Sequence, residues 1–169
     1  MSKALKVAGV LSGAAITGVA TIAAPAGASV NITWESSYYK KYLEIYQAGK
    51  SNGNWADIYA WHNGSNQKWT AMSEGEDSHG DTEWVFVNQN SGKCLEDYAY
   101  ETSGHVDQWS CGSYGSNARW EEIYNPFDND PAGDSYALAN YGNSEQACPE
   151  SNDWVVWEGN IDPAYCVWS

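Results

Sequence analysis

The sequence has 169 residues, 22 acidic and 8 basic, and a formal net charge of −14. So acidic a balance argues against nucleic acid and anionic membranes as partners, because phosphate contacts need a basic surface. Aromatic residues make up 14 % of the chain, a load that fits neither a disordered chain nor a helix bundle and leaves rings over to face solvent or a ligand.

In chain order, the first feature is an export pattern. Lys3 and Lys6 precede a small-apolar run from Val7 to Ala24, and Ala26-Gly27-Ala28 supplies an A-x-A cleavage site. Ser12, Thr17 and Thr21 make the run a poor permanent span, although an uncleaved anchor is the alternative. No cysteine follows it, so a lipid anchor is not expected. Residues 1–28 are therefore read as a secretory signal peptide and residues 29–169 as one domain, large enough for its own core.

No stretch beyond the leader holds apolar residues at helical spacing over three turns. Short runs dominate instead: Tyr42–Tyr46, Trp55–Trp61, Trp84–Val87, Val106–Trp109, Tyr136–Ala139 and Trp154–Trp157. Gly, Asn, Ser and Asp clusters separate them. The pattern predicts an all-β fold of many short strands. Two acidic, polar stretches, Ser73–Asp81 and Asn125–Asp134, are expected to be loops between larger blocks.

Those blocks repeat. The first reads Tyr42-Leu43-Glu44, Asp57-Ile58-Tyr59 and Asn66-Gln67-Lys68-Trp69. The second reads Cys94-Leu95-Glu96, Asp107-Gln108-Trp109 and Asn117-Ala118-Arg119-Trp120. The third reads Cys148-Pro149-Glu150, Val155-Val156-Trp157 and Tyr165-Cys166-Val167-Trp168. Three repeats of about fifty residues suggest threefold closure of a small barrel with no open edge. Trp69, Trp120 and Trp168 are the expected core anchors. The four cysteines of an exported chain point to two disulfides, with three connectivities open. Zinc is the alternative, but no C-x-x-C pair occurs.

Gln67-Lys68-Trp69 after Gly64-Ser65-Asn66, together with Ser91-Gly92-Lys93-Cys94-Leu95-Glu96 and Gly104–Cys111, resembles the Q-x-W signature of ricin-B-type β-trefoil lectins. The resemblance covers the chain from about Trp34 to Ser169. It implies an all-β trefoil of three pseudo-symmetric repeats, each able to carry a shallow sugar site. In such a site an acid accepts hydrogen bonds from sugar hydroxyls, an aromatic ring stacks on the sugar's C–H face, and an Asn adds an amide contact. Carried over, repeat one offers Glu44, Asp57, Tyr59 and Asn66. Repeat two offers Glu96, Asp107, Trp109 and Asn117. Repeat three keeps Glu150 and Trp157 but has Val155 and Tyr165 where polar groups are expected, so it should be weak or silent. The family's acid after Cys-Leu is usually Asp, and Glu here would retune the site. Ala118 and Cys166 depart from the Gln of the signature. The resemblance pairs Cys94 with Cys111 and leaves Cys148 for Cys166. Tyr42 and Trp61 stand where repeat one would carry its bridge.

The expected function is reversible carbohydrate binding by a secreted protein, on polymeric or cell-surface glycans. No cofactor, catalytic residue or membrane insertion is expected. The Glu/Asp pairs could be a merely solvated face, or could draw a calcium ion or an amino sugar. Glycosidase chemistry would need two acids across an enclosed cleft. His62, His79 and His105 are scattered, with turn or surface roles expected. The alternative function is a protein-interaction module, an inhibitor or toxin component presenting loop Asn125–Asp134.

Overall fold

The computed structural model describes residues 26–78, 80–97, 104–111, 115–124, 136–142, 146–158 and 166–169, but not the side chains of 123, 124 and 156–158. The expected leader up to residue 25, His79, loop Asn125–Asp134 and Tyr165 lie outside the described residues, as does the Trp157 side chain.

Among the described residues there are eleven strands and no α-helix. Repeat one supplies β1 (Ser29–Ile32), β2 (Tyr42–Ile45), β3 (Asn54–Tyr59) and β4 (Trp69–Glu76). Repeat two supplies β5 (Thr82–Asn88), β6 (Cys94–Asp97), β7 (Val106–Trp109) and β8 (Trp120–Tyr124). Repeat three supplies β9 (Tyr136–Asn140), β10 (Gln146–Pro149) and β11 (Val155–Glu158).

The outer strands form a ring by antiparallel pairing of β1 with β4, β4 with β5, β5 with β8 and β8 with β9. The ring then closes through the C-terminus. Tyr136 and Trp168 exchange two backbone hydrogen bonds of 2.8 Å, and Glu35 and Ser169 exchange two of 2.9 Å. Closure leaves few unpaired edge groups, which answers the hazard of open sheets. The remaining strands form three hairpins, β2–β3, β6–β7 and β10–β11, that cap one end. Hairpin touches hairpin at Trp55↔Asp107 and Asp57↔Trp154. This is the β-trefoil arrangement that the resemblance implies.

The core is built on the closing tryptophans. Trp69, Trp120 and Trp168 are fully buried. Each indole N–H needs a partner there, and each donates to the equivalent hairpin carbonyl: Leu43 at 3.3 Å, Leu95 at 3.0 Å and Ala147 at 2.9 Å. Truncating any one to Ala would cost about 3–5 kcal/mol. These three bonds also define which hairpin positions correspond.

That correspondence corrects the sequence alignment of repeat three. Leu43, Leu95 and Ala147 are equivalent, so Cys148 stands where Glu44 and Glu96 stand, and Val156 where Asp57 and Asp107 stand. Glu150 falls in the hairpin turn, and Glu158 occupies the place of Tyr59 and Trp109. The cause is hairpin length. The last ladder pairs, Ile45↔Ala56, Asp97↔Val106 and Pro149↔Val155, enclose ten, eight and five residues.

A second correction concerns Ser73–Asp81. β4 runs on to Glu76, pairing with β5 across a bulge between Ser73 and Gly75. Alternation explains it. Trp69, Ala71 and Ser73 are buried while Thr70, Met72 and Glu74 are not, so the alternation of a strand runs into the acidic stretch and Glu74 lies on its outer face.

Disulfides join Cys94 to Cys111 and Cys148 to Cys166. In repeat one the Tyr42 and Trp61 rings meet at 4.9 Å in place of a bridge. At the centre of the cap, Trp55, His105 and Trp154 occupy equivalent positions and pack on one another at 4.0, 5.3 and 5.6 Å.

Candidate functional site

The β2–β3 hairpin turns Leu43, Ile45, Ala56 and Ile58 into the core. Strict alternation then puts Tyr42, Glu44, Asp57 and Tyr59 on the other face. Register makes two cross-strand pairs of them, Tyr42↔Tyr59 and Glu44↔Asp57. Tyr59 is 55 % exposed, whereas Glu44 and Asp57 are 5 % and 6 % exposed. A solvent-facing ring thus sits directly beside two sheltered carboxyl groups.

His62 completes the group, its Nε2 lying 2.9 Å from Glu44 Oε2. Gln67 of the Q-x-W triplet places it. The fully buried Gln67 accepts the His62 backbone N–H at 2.9 Å and donates to Ala60 O at 3.0 Å. Both sides of Trp61 are therefore clamped. Gly64 is needed close by: a Cβ there would come within 2.3 Å of His62 and 2.5 Å of Asn66. Asn66 itself is buried, and its Nδ2 donates to Ile45 O at 3.2 Å. Its amide nitrogen thereby braces the end of β2.

The electrostatics set Asp57 apart. Burial pushes its carboxyl up to about 7, and the neighbouring Glu44 and Asp153 push the same way. Its own backbone N–H and Lys41 act in the opposite sense, Lys41 from its 2.6 Å ion pair with Asp153. Asp57 Oδ1 is buried and has no hydrogen-bond partner. Such a group weakens the fold unless it serves something else.

Repeat two repeats the arrangement. Glu96 pairs with Asp107 and Cys94 with Trp109 across β6–β7. Asp107 is buried and Trp109 is 43 % exposed. Burial first, and then Asp97, raises the Glu96 carboxyl to about 7. Here the disulfide Cys94–Cys111 does what the Gln67 clamp does in repeat one, so Ala118 suffices in place of Gln. Asn117 is half-buried, and its carbonyl accepts Asn140 Nδ2 at 2.6 Å. The fully buried Gln108 ties this hairpin to repeat one, donating to Gly49 O and Ser51 O at 3.0 Å each and accepting from Ser91 Oγ at 2.6 Å.

Repeat three has no counterpart. The acid position is Cys148, bonded to Cys166, and its cross-strand partner is Val156. Among the described residues, no group of three or more His, Cys, Asp and Glu side chains could hold a metal ion. No described helix is long and apolar enough to cross a membrane.

The structure brings the two predicted acid pairs and their rings together and packs Tyr42 on Trp61 where the sequence put them in place of a bridge, whereas His62 was not foreseen as a member of the repeat-one face. The one available signal was the run Tyr59-Ala60-Trp61-His62-Asn63-Gly64, which sets His62 three residues after the predicted ring and two before the glycine.

A family profile described as ricin-type beta-trefoil lectin domain-like matches residues 65–152, just over half of the chain. No curated protein sequence matches significantly. Among solved structures, the designed threefold-symmetric protein ThreeFoil is 23 % identical, with a TM-score of 0.65 over 82 % of this chain and 95 % of that one. The Rhizoctonia solani agglutinin is 15 % identical, with a TM-score of 0.65 over 89 % and 97 %. An exo-β-1,3-galactanase from Clostridium thermocellum is 16 % identical with a TM-score of 0.64, but this chain spans only 29 % of it. Likeness at these identities shows the shared β-trefoil fold.

Proposed function

Because the chain belongs to the ricin-type beta-trefoil lectin domain-like family, we propose that it binds carbohydrate reversibly through two sites, one on the outer face of each of the β2–β3 and β6–β7 hairpins. Tyr59 and Trp109 are the stacking rings. Glu44 with Asp57, and Glu96 with Asp107, accept hydrogen bonds from sugar hydroxyls. Asn66 and Asn117 support these sites from behind. Repeat three is a structural unit that takes no sugar.

The observation that carries this reading is the recurrence of one exposed ring beside a cross-strand Glu–Asp pair in repeats one and two, and its replacement by a disulfide in repeat three. A flat ring offers an apolar platform, and carboxylates are acceptors suited to paired hydroxyl donors. The acids adjoin across a ladder instead of facing each other over a cleft, which favours binding over glycosidic cleavage. The two disulfides and the leader pattern of residues 1–28 support export of a mature chain from Ser29. Paired sites on one body suit polymeric or cell-surface glycans, where avidity offsets weak single contacts.

A glycan array tests the reading. Wild-type protein should bind a restricted set of glycans, and Tyr59→Ala should weaken that binding about 3- to 10-fold, the worth of one ring stack. Equal binding by the two proteins would remove Tyr59 from the site. A stable protein complex with no glycan bound would favour the inhibitor or toxin-component alternative.

A further inference from the structure

We propose that Tyr42 and Trp61 form a second sugar platform, so that repeat one holds two consecutive residues of a glycan chain and repeat two holds one. The proposal rests on the reading of Tyr59 as the first platform.

Three rings run in sequence along one face. Tyr59 is the cross-strand partner of Tyr42, which places their side chains next to each other. Tyr42 in turn packs against Trp61, with centroids 4.9 Å apart and planes tilted by 50°. Trp61 is 46 % exposed. Leaving so large a ring in water forfeits burial that the core would otherwise use, and exposed aromatic surface next to a binding site is more often contact surface than accident.

The ring is held rather than loose. Gln67 fixes the backbone on both sides of it, at Ala60 and at His62. Tyr42 is anchored by its hydroxyl, which donates to Glu35 Oε2 at 2.8 Å. A stacking surface that is already ordered loses little entropy on binding.

The comparison between repeats supplies the reason for two rings at this place. Repeat two has Cys94 and Cys111 at the corresponding positions, joined as a disulfide. A disulfide braces the hairpin but presents no flat apolar face. Repeat one gives up the bridge and leaves an exposed indole, while Gln67 takes over the bracing. The occupant is a second pyranose ring continuous with the one on Tyr59, because Tyr42 joins the two positions without a break. Glu35, bonded to the Tyr42 hydroxyl, adds a carboxylate to the flank of this platform.

The test uses a Trp109→Ala background, so that repeat one alone reports. The probes are glucose, galactose, mannose, N-acetylglucosamine and N-acetylgalactosamine, each with its homodimer and homotrimer, measured by calorimetry or competition. Counted per sugar residue, the dimer and the trimer of the preferred sugar should each bind roughly 3- to 10-fold more tightly than its monomer. Adding Trp61→Ala should bring that ratio to about one. So should Tyr42→Cys/Trp61→Cys, which installs the brace that repeat two uses and keeps the hairpin tied. Tyr59→Ala should weaken monomer and trimer together. A ratio near one before Trp61 is changed, or a ratio that survives both Trp61 variants, overturns the second platform while leaving Tyr59 in place. No binding of any probe by the folded Trp109→Ala protein overturns both.

Discussion

Asp57 is where stability and the proposed activity pull apart. Its carboxyl is raised to about 7 from an ordinary value of 3.8, chiefly by burial and then by Glu44 and Asp153. A carboxyl with a raised native pKa binds more protons folded than unfolded between those two values. Stability therefore falls as pH rises from about 4 towards 7, and the loss is complete above that window. Glu96, raised to about 7, and Glu122, raised to about 8 by burial, act with the same sign. The protein should be more stable at pH 5 than at pH 8, which denaturant midpoints at the two values would check. Asp57→Asn should raise stability at pH 8 by on the order of 2 kcal/mol, since it removes the buried charge and offers Glu44 a donor. The same change should lower glycan affinity. A site that destabilises its own scaffold is what a ligand-binding role leads one to expect.

Among elements, the hairpins decide which repeats are equipped to bind. Each needs a brace behind its outer face, and the chain uses different ones: Gln67 in repeat one, Cys94–Cys111 in repeat two and Cys148–Cys166 in repeat three. Gln67→Ala should therefore cost about 2–3 kcal/mol, because two backbone groups lose their partner at once. It should also free His62 from Glu44, visible as altered imidazole resonances. Ala118, at the same position of repeat two, carries no such burden.

This bracing explains what could be read in advance. The closing tryptophans were legible because Trp69 follows Tyr59 by ten residues, and Trp120 and Trp168 follow Trp109 and Trp157 by eleven. The acid pairs of repeats one and two were legible because Leu43 and Leu95 sit immediately before Glu44 and Glu96. Repeat three was not, because its hairpin is shorter and counting from Cys148 lands two residues out of register. The extent of β4 was hidden by its polar outer face. His62 was hidden because its place depends on the hydrogen bond that its backbone N–H donates to Gln67 Oε1, five positions on, which no local pattern announces.

For the molecule as a whole, threefold closure sets the two hairpins proposed to bind and the third, disulfide-bearing hairpin around a single cap. Trp55, His105 and Trp154 pack at its centre, and Gln108 joins the first two hairpins by hydrogen bonds. The two sites therefore belong to one rigid scaffold, and a polymeric glycan long enough to meet both gains by avidity. Among the described residues the aromatic excess includes a buried set, with the closing tryptophans joined by Trp34, Trp84 and Phe86, and an exposed set to which Tyr59, Trp61 and Trp109 belong.

On the proposed function, the β2–β3 and β6–β7 hairpins bind sugar and the β10–β11 hairpin does not. Retention on an immobilised polymeric glycan selected from the array tests it most directly, comparing wild type, Tyr59→Ala, Trp109→Ala and the double variant. Partial loss is expected in each single variant and loss of about 10-fold or more in the double, all four proteins remaining folded. Undiminished retention by the folded double variant would contradict it.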